Sequence, residues 1–448
     1  MNSCLRRFIK QPFATLAAIP LCMLGMAEAA VGAIQWMGIL SSHHNDYPFT
    51  GTFYNPGPYA CYLAVLLPMA VFACKNTGHI LISRMVRWLA TGMALSCAIL
   101  IPASLSRTAM IAAAIGTAIA YRDELKAFLH KNKAMCVIGM LIAVLTIAGG
   151  MYAVKKDSAD GRLVMWKVAM QAAADTPLTG MGWDNVAGAY GEAQERYFGA
   201  GRGSEEEMMV ADAPKYVFNE YLQVGITFGP LALLGMVVLM AGAFTVAFRS
   251  KDYGTAGSVA ATSLVMAASY PLQFPLFTIT IVLILLAAWL SSSHFTVKMT
   301  GSALTITASV LLLTHTPKTD VEAAFACGLS LHRSRDYIRS NEILIPLLEK
   351  SSDPMILNII GKNYQSIEMP DSAEYWLSKS TLRCPNRMYP HYLLMLLYAD
   401  SASYDRCKCL KEANTILTMP VKIPSPAVDE MREKAVVIKN NQAALHKS

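Results

Sequence analysis

G-R-L-V-M-W (161–166), P-L-T-G-M-G-W (177–183) and F-N-E-Y-L-Q-V-G (218–225) punctuate the stretch around which the chain is organised. Gly161 to Gly225 is the one long polar segment between two apolar runs. Connections longer than about 15 residues usually carry a function or are disordered. This one is tethered at both ends over one membrane face, since apolar sequence resumes at Tyr221. It holds an arginine, two glycine turns and an Asn-Glu pair, so it is expected to roof a site.

The apolar runs on either side set the class. The chain is 54% hydrophobic and 15% charged, against roughly 25% charge in soluble domains. Runs near the ~20 residues needed to cross a bilayer fall at 13–40, 57–74, 86–104, 108–121, 134–154, 221–248, 256–272, 275–292 and 300–316. They predict an all-α, polytopic transmembrane bundle of about nine spans. Pro271 and Pro275 separate two of them. The first run is too long for a signal peptide and lacks a cleavage site.

Basic residues alternate. Arg6, Arg7 and Lys10; Lys75, Arg84 and Arg87; Arg122, Lys126, Lys131 and Lys133; Arg249 and Lys251; and Lys298 fall on every second connection. The positive-inside rule places these in the cytoplasm. The 155–220 loop and everything after Thr316 are then extracytoplasmic. The net charge of +7 follows from this bias and does not point to nucleic acid.

Candidate site residues stand at the outer ends of the spans. Glu28 and Gln35 are seven apart on one helix face, and an intramembrane carboxylate is either functional or paired for packing. Asn55, in G-T-F-Y-N-P-G-P (51–58), either caps the next helix or faces a ligand. Arg107 is the only basic residue in a short outer connection, and either binds an anion or snorkels to headgroups. Arg162 and Trp166 share a helical face. Asn219 and Glu220 suit a helix start as well as chemistry. His43, His44 and Asp46 lack the spacing of metal ligands. Of the ten cysteines, Cys22, Cys61, Cys97 and Cys136 read as core fillers. Cys327, Cys384, Cys407 and Cys409 fall in the tail.

From 317 the composition is that of a helical domain. Leu357, Ile360, Gly361, Tyr364, Ala373, Leu377, Ser380 and Pro385 fit the tetratricopeptide spacing counted from Pro354. We therefore expect two domains. Residues 1–316 form the membrane domain with its 155–220 loop, and 317–448 form a helical-repeat tail that either binds a protein partner or acts as a rigid cap.

These motifs, in this order, resemble the O-antigen ligase and polymerase superfamily. The matching residues are E-A-A-V-G-A-I-Q (28–35), G-T-F-Y-N-P-G-P-Y-A (51–60), S-R-T (106–108), G-R-L-V-M-W (161–166), P-L-T-G-M-G (177–182) and N-E-Y-L-Q-V-G (219–225). The resemblance implies a GT-C type bundle in the bacterial inner membrane, with its loop and tail in the periplasm. It implies transfer of a glycan from an undecaprenyl-diphosphate donor to a lipid A core or a protein hydroxyl, inverting and without metal or other cofactor. A repeat-unit polymerase shares the donor, and a non-catalytic scaffold shares the fold. Catalytic roles would fall to Arg107, Arg162, Glu220 and Asn219. Substrate would be bound by Glu28, Gln35, Asn55, Trp166 and Tyr221. Relatives usually carry more spans before the E-A…Q helix, which implies a short paralogue or a truncated chain. Many also carry a histidine where Phe218 stands, which leaves Glu220 as the base.

Overall fold

The computed structural model describes residues 13–76, 81–131, 156–314, 319–401, 403–421 and 424–444. Helices α1 (Phe13–Trp36), α2 (Pro56–Asn76), α3 (Leu81–Ala103), α4 (Arg107–Ala120) and α5 (Arg122–Lys131) come first. The long loop contributes α6 (Lys156–Ala174), α7 (Val186–Gly199) and α8 (Glu205–Val210). The short α9 (Glu220–Phe228) leads back to α10 (Pro230–Arg249), α11 (Tyr253–Ala268), α12 (Pro275–Leu290) and α13 (Phe295–Leu313). The tail is α14 (Val321–Arg333), α15 (Tyr337–Leu347), α16 (Pro354–Ser366), α17 (Pro370–Arg383), α18 (Met388–Ala399), α19 (Arg406–Thr418) and α20 (Pro426–Ala444). The expected span at 134–154, Cys136, the basic residues Arg6, Arg7, Lys10 and Lys133, and the boundary at Thr316 lie outside the described residues.

The described residues are all-helical, and the chain is a multi-pass membrane protein. Five helices are long and apolar enough to cross a membrane: α1 from Ala18, α2, α3 from Arg84, α10 and α13. Two shorter apolar helices, α4 and α12, accompany them. The chain forms two compact units. The first holds α1–α5, Phe218–Tyr221 and Ala232–Thr316. The second holds Lys155–Val217, Leu222–Leu231 and the tail from Pro317.

In the first unit α2 is central. Its span is 72% buried, against 17% for α10 and for α13, so the last two present their apolar side chains outward. Water cannot drive helices together within lipid, so close packing of small residues does. Gly116 of α4 and Gly257 of α11 make such a crossing. A Cβ added at Gly257 would stand 2.3 Å from the Gly116 carbonyl oxygen.

The second unit unites the loop with the tail. Val164, Val168 and Ala172 of α6 pack with Tyr190, Ala193 and Tyr197 of α7 and with Ile226 of α9. The other side of α7 meets the tail. Gly188 lies so close to the Glu349 carbonyl that a Cβ would be 2.0 Å from its oxygen. Arg383, at the end of α17, is 1% exposed and donates through Nε to Glu195 Oε1 at 2.7 Å. Its Nη2 lies 2.6 Å from the same oxygen, and Nη1 donates to the Ser351 carbonyl at 3.2 Å. Lys379 Nζ meets Glu195 Oε2 at 3.2 Å. Gln194 donates to the Arg383 carbonyl, and Asn386 Nδ2 to the carbonyls of Met209 and Ala211 at 2.9 and 2.6 Å. The 317–448 segment is thus one part of a larger compact body that also contains the loop. Within it, α16 and α17 form a tight hairpin, with Gly361 against Leu377.

The expected span at 221–248 is corrected. The helix stops at Phe228, Gly229 takes φ +85°, and α10 starts at Pro230. The left-handed turn at Gly229 ends α9, and Pro230, which lacks an N–H, opens α10 at its first position. Ser204 and Glu207 close a capping box at the start of α8, and Glu207 holds Lys167 and the Tyr197 hydroxyl.

Candidate active site

Glu28 and Gln35 face the same loop. Gln35 Oε1 accepts from the amides of Thr50 and Gly51 at 2.9 and 2.8 Å. Its Nε2 donates to the Gly51 carbonyl at 3.0 Å. Glu28 accepts from the Thr52 amide at 3.1 Å and from the Thr52 hydroxyl at 2.6 Å. Both side chains are buried. They fix the backbone of Thr50–Thr52, a turn in which Gly51 takes φ +59°. Asn55 Oδ1 accepts from the Gly57 amide at 2.8 Å, which makes it the cap of α2. His44 Nδ1 accepts the Asp46 amide, and its ring meets Tyr47.

The 51–54 turn carries Phe53, which begins a row of rings. Phe53 meets Phe274 at 5.2 Å, Phe274 meets Tyr270 at 5.6 Å, and Tyr270 meets Phe218 at 4.6 Å. Two motifs far apart in sequence are thereby linked through the segment between α11 and α12. Phe218 has φ +53°, a conformation that is uncommon and costly without glycine. Asn219 Oδ1 accepts from the Tyr221 amide at 3.0 Å and caps α9. Tyr221 donates to the Ser263 carbonyl at 3.3 Å.

Glu220 is 1% exposed and accepts from the Leu272 amide at 2.7 Å. Burial pushes its carboxyl up to about 8, against the opposing pull of that amide. It lies outside the apolar spans. The neutral acid therefore prevails at pH 7, and the group is turned into the protein. A proton acceptor must reach its substrate, so the geometry here is that of a latch on the 271–273 turn. A carboxyl raised on folding stabilises the fold fully below its unfolded value near 4.3. That contribution is lost as pH rises through about 8. Glu220→Gln keeps an acceptor for Leu272. It should flatten the fall in melting temperature between pH 5 and 8 and raise the melting temperature at pH 9. A pH series of thermal melts on purified protein checks this, and an unchanged slope would rule the latch out.

Arg107 opens α4 in the first unit. Ser106 caps that helix by accepting the Ala109 amide, and Leu105 takes φ +53° to make the turn. The helix dipole disfavours a cation at that position. Arg162 lies in α6 of the second unit, one turn from Trp166, whose body packs into that unit's core. The two arginines belong to different units. In the second unit the P-L-T-G-M-G turn is clamped onto the end of α9. Met181 and Gly182 donate to the carbonyls of Ile226 and Thr227 at 2.8 and 3.0 Å. Gly180 takes φ +82°, and a Cβ there would stand 2.1 Å from the Thr227 oxygen. Only glycine satisfies both demands.

Residues 92–237 match the sequence model of the family described as O-antigen ligase. Over this stretch the chain is similar to the O-antigen ligase superfamily. No curated protein and no solved structure matches it. The matched stretch contains Arg107, Arg162, Trp166, Asn219, Glu220 and Tyr221, and leaves Glu28, Gln35 and Asn55 outside. The match supports, at the family level, a ligase- or polymerase-type membrane glycosyltransferase.

Several residues that shape the fold gave no sign of their partners in the sequence. Thr52 and Leu272 act through contacts with distant carboxyls. Tyr270 and Arg383 stand in none of the motifs singled out in the sequence. Phe53 could have been found, since it stands in the quoted G-T-F-Y motif.

Proposed function

We propose that the chain transfers a glycan from an undecaprenyl-diphosphate carrier to an extracytoplasmic acceptor, the lipid A core or a protein hydroxyl. The observation that carries this reading is the family match, whose stretch spans Arg107, Arg162 and the Asn219-Glu220 pair. When the sugar C1–O bond breaks, negative charge collects on the departing diphosphate. A fixed guanidinium stabilises that charge in the transition state, and its planar fork suits phosphate oxygens. Arg107, set at a helix N-terminus, and Arg162 take this role. The acceptor oxygen attacks C1 from the opposite face in one displacement and inverts the anomeric centre. Its proton passes to solvent or to the departing phosphate as charge develops there. Glu220 serves as a positioning residue that holds the 271–273 turn. Glu28 and Gln35 hold the Thr50–Thr52 turn in the same way.

The test uses membranes containing the full chain, supplied with a diphosphate-lipid-linked glycan and either a lipid A core acceptor or an acceptor protein. Glycan on one of these acceptors is the expected product. Glycan chains lengthened on the carrier lipid would assign polymerase activity instead. Absence of any transfer, beside an active relative, would favour the scaffold.

A further inference from the structure

At the junction of α4 and α5 the first unit opens a cleft of about 600 Å³. It lies within the roughly 300–1,000 Å³ of small-molecule sites. Ile115, Ile119, Leu125, Leu129 and Phe248 give it apolar walls, and Arg122 and Lys126 are its only charged lining among the described residues. The site is built around Arg122. Its Nη1 donates to the Tyr253 hydroxyl at 2.8 Å, and its guanidinium lies over the rings of Phe248 at 4.8 Å and Tyr253 at 5.2 Å. Only Nη1 is engaged among the described residues, with Asp123 at 3.6 Å from that same nitrogen. A guanidinium has five N–H donors, so the rest of the fork is left for a ligand. Lys126 makes no ion pair or hydrogen bond among the described residues. The nearby acid Glu124 is already held by Lys75.

We propose that this cleft binds an anionic phospholipid, with an acyl chain along the apolar walls and the phosphate on Arg122 and Lys126. Three observations select this occupant. The walls suit a hydrocarbon chain and offer it no polar partner. The charges at the cleft are cationic and partly unsatisfied, which matches a phosphate and not a neutral headgroup. The helix that forms the lip, α5, places Leu125, Phe128 and Leu129 beside Arg122 and Lys126 in ten residues, the composition of a segment lying in the membrane interface. Arg249 and Lys251 follow Phe248 in the chain and add positive charge beside it.

Native mass spectrometry of the purified full chain tests the proposal, with phosphatidylglycerol and phosphatidylethanolamine of identical acyl chains added to the micelles. A basic residue at an anionic headgroup favours binding by about fivefold. The unmodified protein should retain phosphatidylglycerol over phosphatidylethanolamine by at least that factor. Lys126→Gln should reduce the preference about fivefold. Ala118→Phe should cut retention of both lipids by filling the cleft, and should not harm folding because Ala118 is exposed. Equal retention of the two lipids by the unmodified protein would overturn the proposal. So would retention unchanged in both variants, the result expected if another part of the chain covers the cleft.

Discussion

Arg383→Ala should lower the stability of the unit formed by loop and tail by about 3–5 kcal/mol. That is a large part of the roughly 5–15 kcal/mol by which domains are usually stable. Arg383 is 1% exposed and Glu195 is 9% exposed, so neither charge can fall back on water. Removing the arginine leaves Glu195 with Lys379 alone and strands the Ser351 carbonyl. The melting transition of the full chain in micelles should drop, and trypsin should cut the 199–204 segment sooner, at the exposed Arg202. The paired change Arg383→Met with Glu195→Leu removes both charges. It should recover most of the loss, because buried ion pairs can often be replaced by apolar residues of similar volume. If Arg383→Ala melts like the unmodified protein, the pair does not hold loop and tail together.

Arg107→Ala and Arg162→Ala should each slow glycan transfer about a hundredfold. Losing a donor aimed at developing charge costs about 3 kcal/mol, and each 1.4 kcal/mol is a factor of about ten. Lysine should rescue poorly, because it restores charge without the bidentate fork. The double variant carries the sharper information. Two arginines that grip one diphosphate are coupled, and their losses should fall short of additivity. Coupling would be functional evidence that both act on one substrate. Initial rates in membranes with matched protein levels provide the measurement. Unmodified rates in both single variants would remove the clamp, and strict additivity would assign the two arginines separate roles.

Much of this was legible in the sequence. Apolar runs announce a helical membrane bundle because a bilayer demands continuous apolar length, and Pro271 and Pro275 mark a break between helices that the structure contains. The family motifs point to the O-antigen ligase superfamily in their order along the chain. Glu28 and Gln35 were readable as sharing a face. Their partners were not, because a backbone amide at Thr50 or Thr52 has no letter in a sequence. The break at Gly229 was written in Gly229-Pro230 and was masked by the hydropathy on either side. Glu220 looked available to a substrate, since burial depends on the 271–273 turn, which arrives from later in the chain. The Glu195–Arg383 pair is the least readable of all. No local pattern connects a glutamate in a polar helix with an arginine at the end of a distant one.

That last pair also sets a timetable for biosynthesis. Glu195 and Arg383 are 188 residues apart in sequence. At about 5–20 residues per second, the ribosome needs roughly 10–40 s to pass from one to the other. During this interval α10–α13 are made, while α7 waits with a carboxylate and a glycine-lined face that its eventual partner has yet to cover. The loop thus begins life as an incomplete fold. A nascent chain that stalls after α13 would hold an α7 without its counterpart, open to proteases and chaperones alike. Completion of the tail is the event that closes this window of exposure.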